Sequence, residues 1–326
     1  MQWYPWLTPV YKSVTESLMG GRPHHALLFS YPDDYGFQPL TDALSRWLLC
    51  EHKEGIKICG QCHSCRLMDA GNHPDCYTLD AENKTIGIDP VRELIRKLND
   101  YAKLGGAKVI VIPHVEQLSV AGANALLKTL EEPSADTYFL LGCHEPNQLM
   151  ATIRSRCLHW ALANPAENYS QQWLQRELPQ LTEMAILTAL RLSEGTPLKA
   201  QQLLTSDAWQ HRLTLVETFY QAVNCEDELA LLPLLNNDQC DTALCWILQL
   251  LMDIRKWQEG AFDTLAHLDK HDEIAALAQR LTAEDVHALY TAWQTCREQL
   301  RTIAGVNREL LLANLLINTE CLIGNL

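Results

Sequence analysis

The sequence predicts an α/β fold joined to an all-α one: a parallel sheet with crossover helices over residues 1–165, then helices to the end. Three observations carry this. From residue 24 to about 160, short apolar runs alternate with segments of helical period. After Pro165 no run reads as a strand. The charge shifts at the same place, with 15 basic and 18 acidic side chains in 1–165 against 11 and 22 in 166–326.

Taken in order, HALLFS (25–30) reads as the first strand, and Leu40, Ala43, Leu44, Trp47 and Leu48 form a helical stripe after it. A cysteine-rich insert over 50–76 follows, then CYTLD (76–80) as a strand. Asp89-Pro90 supplies an N-cap and a preset first helical residue for a helix burying Val91, Leu94, Ile95 and Leu98, with Gly105-Gly106 expected at its end. KVIVI (108–112) is a buried strand, and Ser119 caps a helix that must stop before Pro133. TYFLLGC (137–143) and LHWAL (158–162) complete about five strands. Residues 166–206 read as two or three short amphipathic helices broken at Gly195-Thr196-Pro197. From 207 onward about five longer helices follow, one opening with a capping box at Thr282–Asp285 and the last running from about Asn307 to Leu322. The tryptophans of this region are expected in its core. The domain division is thus 1–165, 166–206 and 207–326.

Composition narrows the function classes. A chain of 326 residues, 47% apolar and 20% charged, can bury real cores and exceeds one ordinary domain of ~150 residues. A net charge of -14 opposes free-standing, non-specific nucleic-acid binding, but not a role on DNA inside an assembly. No uncharged run approaches the ~20 residues of a membrane span. The opening MQWYPWLTPVYK lacks the basic and apolar regions of an export signal, so a cytoplasmic location is expected. Twelve cysteines then read as reduced thiols or metal ligands.

Cys59, Cys62 and Cys65 in CGQCHSC form two C-x-x-C steps sharing a middle residue, and Cys50 lies just before them. Four thiolates can surround a tetrahedral Zn²⁺ in a closed site without an open position, so the expected metal is structural. Cys50 completes an all-sulfur set, with His52, His63, His73 and Cys76 as the other nearby choices for fourth ligand. Cys143, Cys157, Cys225, Cys240, Cys245, Cys296 and Cys321 are expected to be small buried side chains.

Open α/β sheets bind ligands at the carboxyl ends of their strands. A phosphate-binding loop would continue HALLFS with G-x-x-x-x-G-K-[ST]. Instead the chain reads Tyr31-Pro32-Asp33-Asp34-Tyr35-Gly36-Phe37-Gln38. Gly36 alone survives, Phe37 stands in the lysine's place and Gln38 in the hydroxyl's, while Asp33 and Asp34 would repel phosphate. Beyond KVIVI, Pro113 and His114 occupy the places of the acidic pair, with Glu116 two residues late. Lysine, hydroxyl and carboxylates each supply a separate part of phosphoryl transfer, so neither bound ATP nor its hydrolysis is expected. His24, His25 and His114 read as ordinary histidines lacking a second ligand at suitable spacing. Glu131 and Glu132 read as a solvated helix end.

ANALLKTLEEP (123–133), YFLLGC and TIRSRC (152–157) together resemble bacterial clamp-loader subunits of the AAA+ class. WYPWL, LLC followed by CGQCHSC, AGNHPD (70–75), LGGAKVIVI (104–112) and GVNRELLLANLL (305–316) narrow the resemblance to the enterobacterial type of DNA polymerase III, over essentially the whole chain. The resemblance implies an AAA+-like domain with a zinc module, a small helical lid and a C-terminal helical collar. It also implies a non-hydrolysing stator that joins delta and gamma/tau subunits to open a sliding clamp and place it on primed DNA, as part of a DNA-directed DNA polymerase assembly. Cys143-His144 stands at one sensor position, and Leu198 replaces an ATP-sensing arginine that Lys199, Gln201 and Gln202 do not restore.

From spacing alone, Arg156 reads as solvated or paired to a local carboxylate. The resemblance selects it as the residue offered across a subunit boundary to ATP on the adjacent gamma/tau subunit. Ser155 and Cys157 are its motif neighbours, with positioning and packing roles, and Arg154 is a nearby competitor. A guanidinium suits the task because it is always charged and presents two donors at once. The rivals are an active ATPase of the gamma/tau type, or a zinc enzyme, which would need an open metal position that four cysteines deny.

Overall fold

A strand buried on both faces is apolar along its middle, and the central strands confine their lysine, threonine and serine to their ends, at Lys108, Thr137 and Ser30. The computed structural model describes residues 2–20, 23–80, 85–225, 227–303 and 305–323. The chain divides into two compact units, residues 1–164 and 165–326.

In the first unit the order is α1 (Leu7–Met19), β1 (Ala26–Ser30), α2 (Phe37–Leu49), α3 (His63–Asp69), β2 (Cys76–Thr78) and α4 (Ile88–Asn99). Then come β3 (Lys108–Ile112), α5 (Val120–Glu131), β4 (Thr137–Cys143), α6 (Ala151–Arg154) and β5 (Leu158–Ala161). The five strands pair in parallel in the order β2-β3-β4-β1-β5. β3 is buried at every position and β1 and β4 at nearly all, whereas the edge strands β2 and β5 are largely open. The pairing Ile110↔Phe139 and Ala26↔Phe139 brings β3 and β1 to either side of β4. The carboxyl ends of these strands, and the loops that leave them, therefore lie side by side. Leu28, Ile110, Ile112, Phe139 and Leu141 form the sheet's contribution to one core, closed by Leu94 and Leu98 of α4 and Leu126 and Leu130 of α5.

Two boundaries differ from expectation. α4 starts at Ile88 with extended Gly87 as its N-cap, so Asp89 lies inside the first turn. There its carboxylate still favours the positive end of the helix dipole. The helix also ends at Asn99, well before the Gly105-Gly106 turn. The cause is Lys108, whose buried ammonium donates to the carbonyls of Leu98 (2.6 Å) and Asp100 (2.8 Å), while Asp75 accepts the N–H groups of Lys103 and Leu104. Tertiary partners end this helix where a glycine was expected to.

The second unit contains no strand among its described residues. It runs α7 (Glu167–Glu177), α8 (Glu183–Leu192), α9 (Pro197–Thr205), α10 (Asp207–Cys225), α11 (Leu232–Leu235), α12 (Cys240–Gln258), α13 (His271–Arg280), α14 (Ala283–Thr302) and α15 (Arg308–Ile323). Single-turn α11 is additional to the five long helices read from the sequence. Trp293 of α14 is fully buried, meets Phe219 edge to face at 5.8 Å, and donates its indole N–H to Thr319. The capping box at Thr282 and Asp285 is formed. Of the scattered cysteines, Cys143, Cys240 and Cys296 are buried, but Cys225 and Cys321 are exposed, contrary to expectation. Both lie near helix ends, at the last residue of α10 and in the last turn of α15.

Candidate functional site

The loop after β1 is packed where a nucleotide-binding loop would be hollow. Tyr31 stacks on Phe37 with ring centroids 4.4 Å apart, and its hydroxyl donates to the Pro113 carbonyl at 2.9 Å. Burial, with Glu116, Cys143 and Asp33 nearby, pushes the Tyr31 phenol far up, so it stays a neutral donor. Phe37 lies against Gly142 of β4: a Cβ there would fall 2.6 Å from the Phe37 ring and 2.3 Å from the Pro113 carbonyl oxygen. Gly36 has φ 95° and is covered by the Tyr4 ring, while Trp6 donates its indole N–H to the Tyr35 carbonyl at 2.9 Å. Gln38 follows in the first turn of α2, and Pro113 is spent on the Tyr31 contact. Side chains thus fill the cradle that phosphates would need.

Arg156 follows α6. Its Nε donates to Glu131 Oε1 at 2.6 Å, its Nη2 reaches the same carboxylate, and Nη1 donates to the Thr152 carbonyl at 2.8 Å and to Ser155 Oγ at 3.3 Å. Glu131 is therefore more than a solvated helix end: it holds the arginine's fork. The pair is part-exposed, at 30% and 47% of the side chains. Such surface pairs contribute only ~0–1 kcal/mol. Arg154 points its Nη1 to Asn147 Oδ1 at 3.3 Å. Cys157 packs against the core beneath, and burial pushes its thiol up to about 12, which removes it as a nucleophile at neutral pH.

The four predicted sulfurs converge. Cys50 Sγ lies 3.7 Å from Cys59 Sγ, Cys59 Sγ lies 4.0 Å from Cys65 Sγ, and all four fall within 4.8 Å of one another. Sulfurs bound to one zinc at ~2.3 Å stand roughly 3.8 Å apart in a tetrahedron, so the set fits a metal ion. Gly60, at φ 70°, turns the chain between the first pair. Cys62 caps α3 by accepting from Cys65 N–H. The N–H groups of Gln61 and Cys62 lower the Cys59 thiol to about 6, while burial raises that of Cys65. His52, His63, His73 and Cys76 are not part of the group.

One grouping was not visible in the sequence. His114, Glu116 and His144 present ligand atoms within 4.8 Å of one another at the carboxyl ends of β3 and β4. His114 therefore does have partners of ligating type: Glu116 two residues on, and His144 brought by strand order from thirty residues away. His25, by contrast, is an ordinary histidine, its Nε2 2.7 Å from the Leu130 carbonyl.

Known proteins bear on all of this. Residues 7–166 match the family described as "DNA polymerase III, delta subunit". Residues 165–205 match "DNA polymerase III subunit delta', AAA+ ATPase lid domain", and 206–320 match "DNA polymerase III, delta subunit, C terminal". DNA polymerase III subunit delta' of Yersinia pestis is 46% identical over 327 residues, covering 98% of this chain and 96% of that one. The same-named subunit of Escherichia coli (strain K12) is 45% identical over 322 residues, with 98% and 96% covered. A shorter likeness, 35% over 168 residues, joins 52% of this chain to 24% of DNA polymerase III subunit tau/gamma of Haemophilus influenzae.

Proposed function

Because this chain belongs to the family of DNA polymerase III delta-prime subunits, which are clamp-loader components, we propose that it acts as a stator. It neither binds nor hydrolyses ATP, and it lends Arg156 to ATP held by the adjacent gamma/tau subunit. Its partners are delta and gamma/tau, and through them the sliding clamp and primed DNA, in the cytoplasm. The observation that carries this reading is the Tyr31–Phe37 stack, which occupies the phosphate cradle while an arginine with easily released partners stands beyond the sheet's other loops. Residues 1–165 form the AAA+-like domain, 166–206 the lid of α7–α9 and 207–326 a collar for oligomerisation.

At the neighbour's site, the guanidinium meets γ-phosphate oxygens through two donors and offsets charge that develops during transfer. In the isolated chain Glu131, Thr152 and Ser155 hold these donors, and docking exchanges those contacts for phosphate oxygens. Cys50, Cys59, Cys62 and Cys65 hold zinc, which supplies a closed cross-link from the end of α2 to the start of α3. The test is reconstitution with delta, gamma/tau and clamp, using wild type and Arg156→Ala. A finger is worth ~10³–10⁵ in kcat at its own site, so DNA-stimulated turnover by the complex falls while assembly persists. Unchanged turnover in an intact complex overturns the trans role.

A further inference from the structure

At the carboxyl edge of the sheet, where related folds would bind a nucleotide's metal, this chain carries a different donor set. We infer that His114, Glu116 and His144 form a second metal site, for a divalent transition ion of the zinc class, separate from the four cysteines. Their ligand atoms lie within 4.8 Å of one another, with His114 Nδ1 3.9 Å from Glu116 Oε1. The imidazole rings tilt toward each other at 5.2 Å.

Glu116 is already fixed in place. Its Oε1 accepts the His144 backbone N–H at 3.3 Å, while its Oε2 is buried and has no hydrogen-bond partner. A carboxylate oxygen withdrawn from water without a donor costs free energy that a cation would return. Asp33, on the loop after β1, places Oδ1 3.1 Å from His144 Nδ1 and so brings a further oxygen within reach. Two imidazoles and a carboxylate are a recurrent donor set for zinc and neighbouring transition ions, whereas magnesium prefers oxygens alone. Ligand atoms on one ion at ~2.1 Å stand roughly 3.0–3.4 Å apart, so the side chains close by about an ångström on binding. The ion would cross-link the loops after β3 and β4, with Asp33 tying in the loop after β1, in a domain whose nucleotide cradle is filled by aromatic rings.

Cobalt(II) is the probe, added to full-length protein whose cysteine site is saturated with zinc. The inference predicts a further equivalent of bound cobalt, visible d–d absorption without thiolate charge-transfer bands, and two shifted, exchangeable imidazole N–H resonances in the paramagnetic proton spectrum. His144→Ala and Glu116→Gln each lose this signal, by tenfold or more in affinity, while keeping the cysteine-bound zinc and the wild-type circular dichroism. No cobalt beyond the cysteine site overturns the inference, as do thiolate bands or binding unaffected by both substitutions. If a variant misfolds, the two imidazole resonances of the wild type decide by their presence or absence.

Discussion

Arg156 and Glu131 form an ion pair at the protein surface. Their pair is part-exposed and adds little to stability. Buried pairs behave differently. Asp253, fully enclosed on α12, accepts the N–H groups of Ala266 and His267, His267 Nδ1 at 3.0 Å and Lys256 Nζ at 2.9 Å. Burial works against its charge, but these donors hold its carboxyl below the usual range. His267 is also fully buried, and burial holds its imidazole below the ordinary value despite Asp253. The unfolded chain therefore takes up a proton at His267 before the folded one does. Stability at this residue is complete above the unfolded value of ~6.5 and falls as pH drops below it toward the lowered folded value. Chemical denaturation at a series of pH values should show this decline, and His267→Gln should flatten it; an unaltered slope would contradict it.

Among the elements, the segment from the end of α2 to α3 is the one organised around its sulfurs, with further bonds from Tyr11 to the Ile56 carbonyl and from Trp47 to the Gly55 carbonyl. Three of the cluster's cysteines accept backbone N–H groups from within the segment itself. Cys62→Ser removes both a metal ligand and the sulfur that caps α3. Zinc release and faster amide exchange over 50–76 are expected, with thermal unfolding lowered by several degrees and the distant β5 edge unaffected. Metal analysis and hydrogen exchange measure this directly. Retained zinc, or an ATPase defect in a folded, assembled variant, would contradict a structural role.

Across the whole molecule, several local readings match the structure: KVIVI and TYFLLGC as strands, the Ser119 cap, the Thr282 capping box and the convergence of the four cysteines, whereas the Asp89 cap does not. Each depends on residues a few positions apart. What escaped depends on strand order. Lys108 closing α4, Glu131 holding Arg156 and His144 joining His114 all follow from β3, β4 and the segments around them lying side by side. The departure from a phosphate-binding loop was legible from Phe37 and Gln38, but the packing of Tyr31 on Phe37 and of Phe37 onto Gly142 was not. The central claim is that this chain serves fuel bound next door and carries none itself. Its most direct test is ATP binding and turnover by the purified chain alone, measured by titration calorimetry and phosphate release. The account predicts no saturable binding and no turnover above a buffer blank; hydrolysis that co-purifies with the protein at constant specific activity would contradict it.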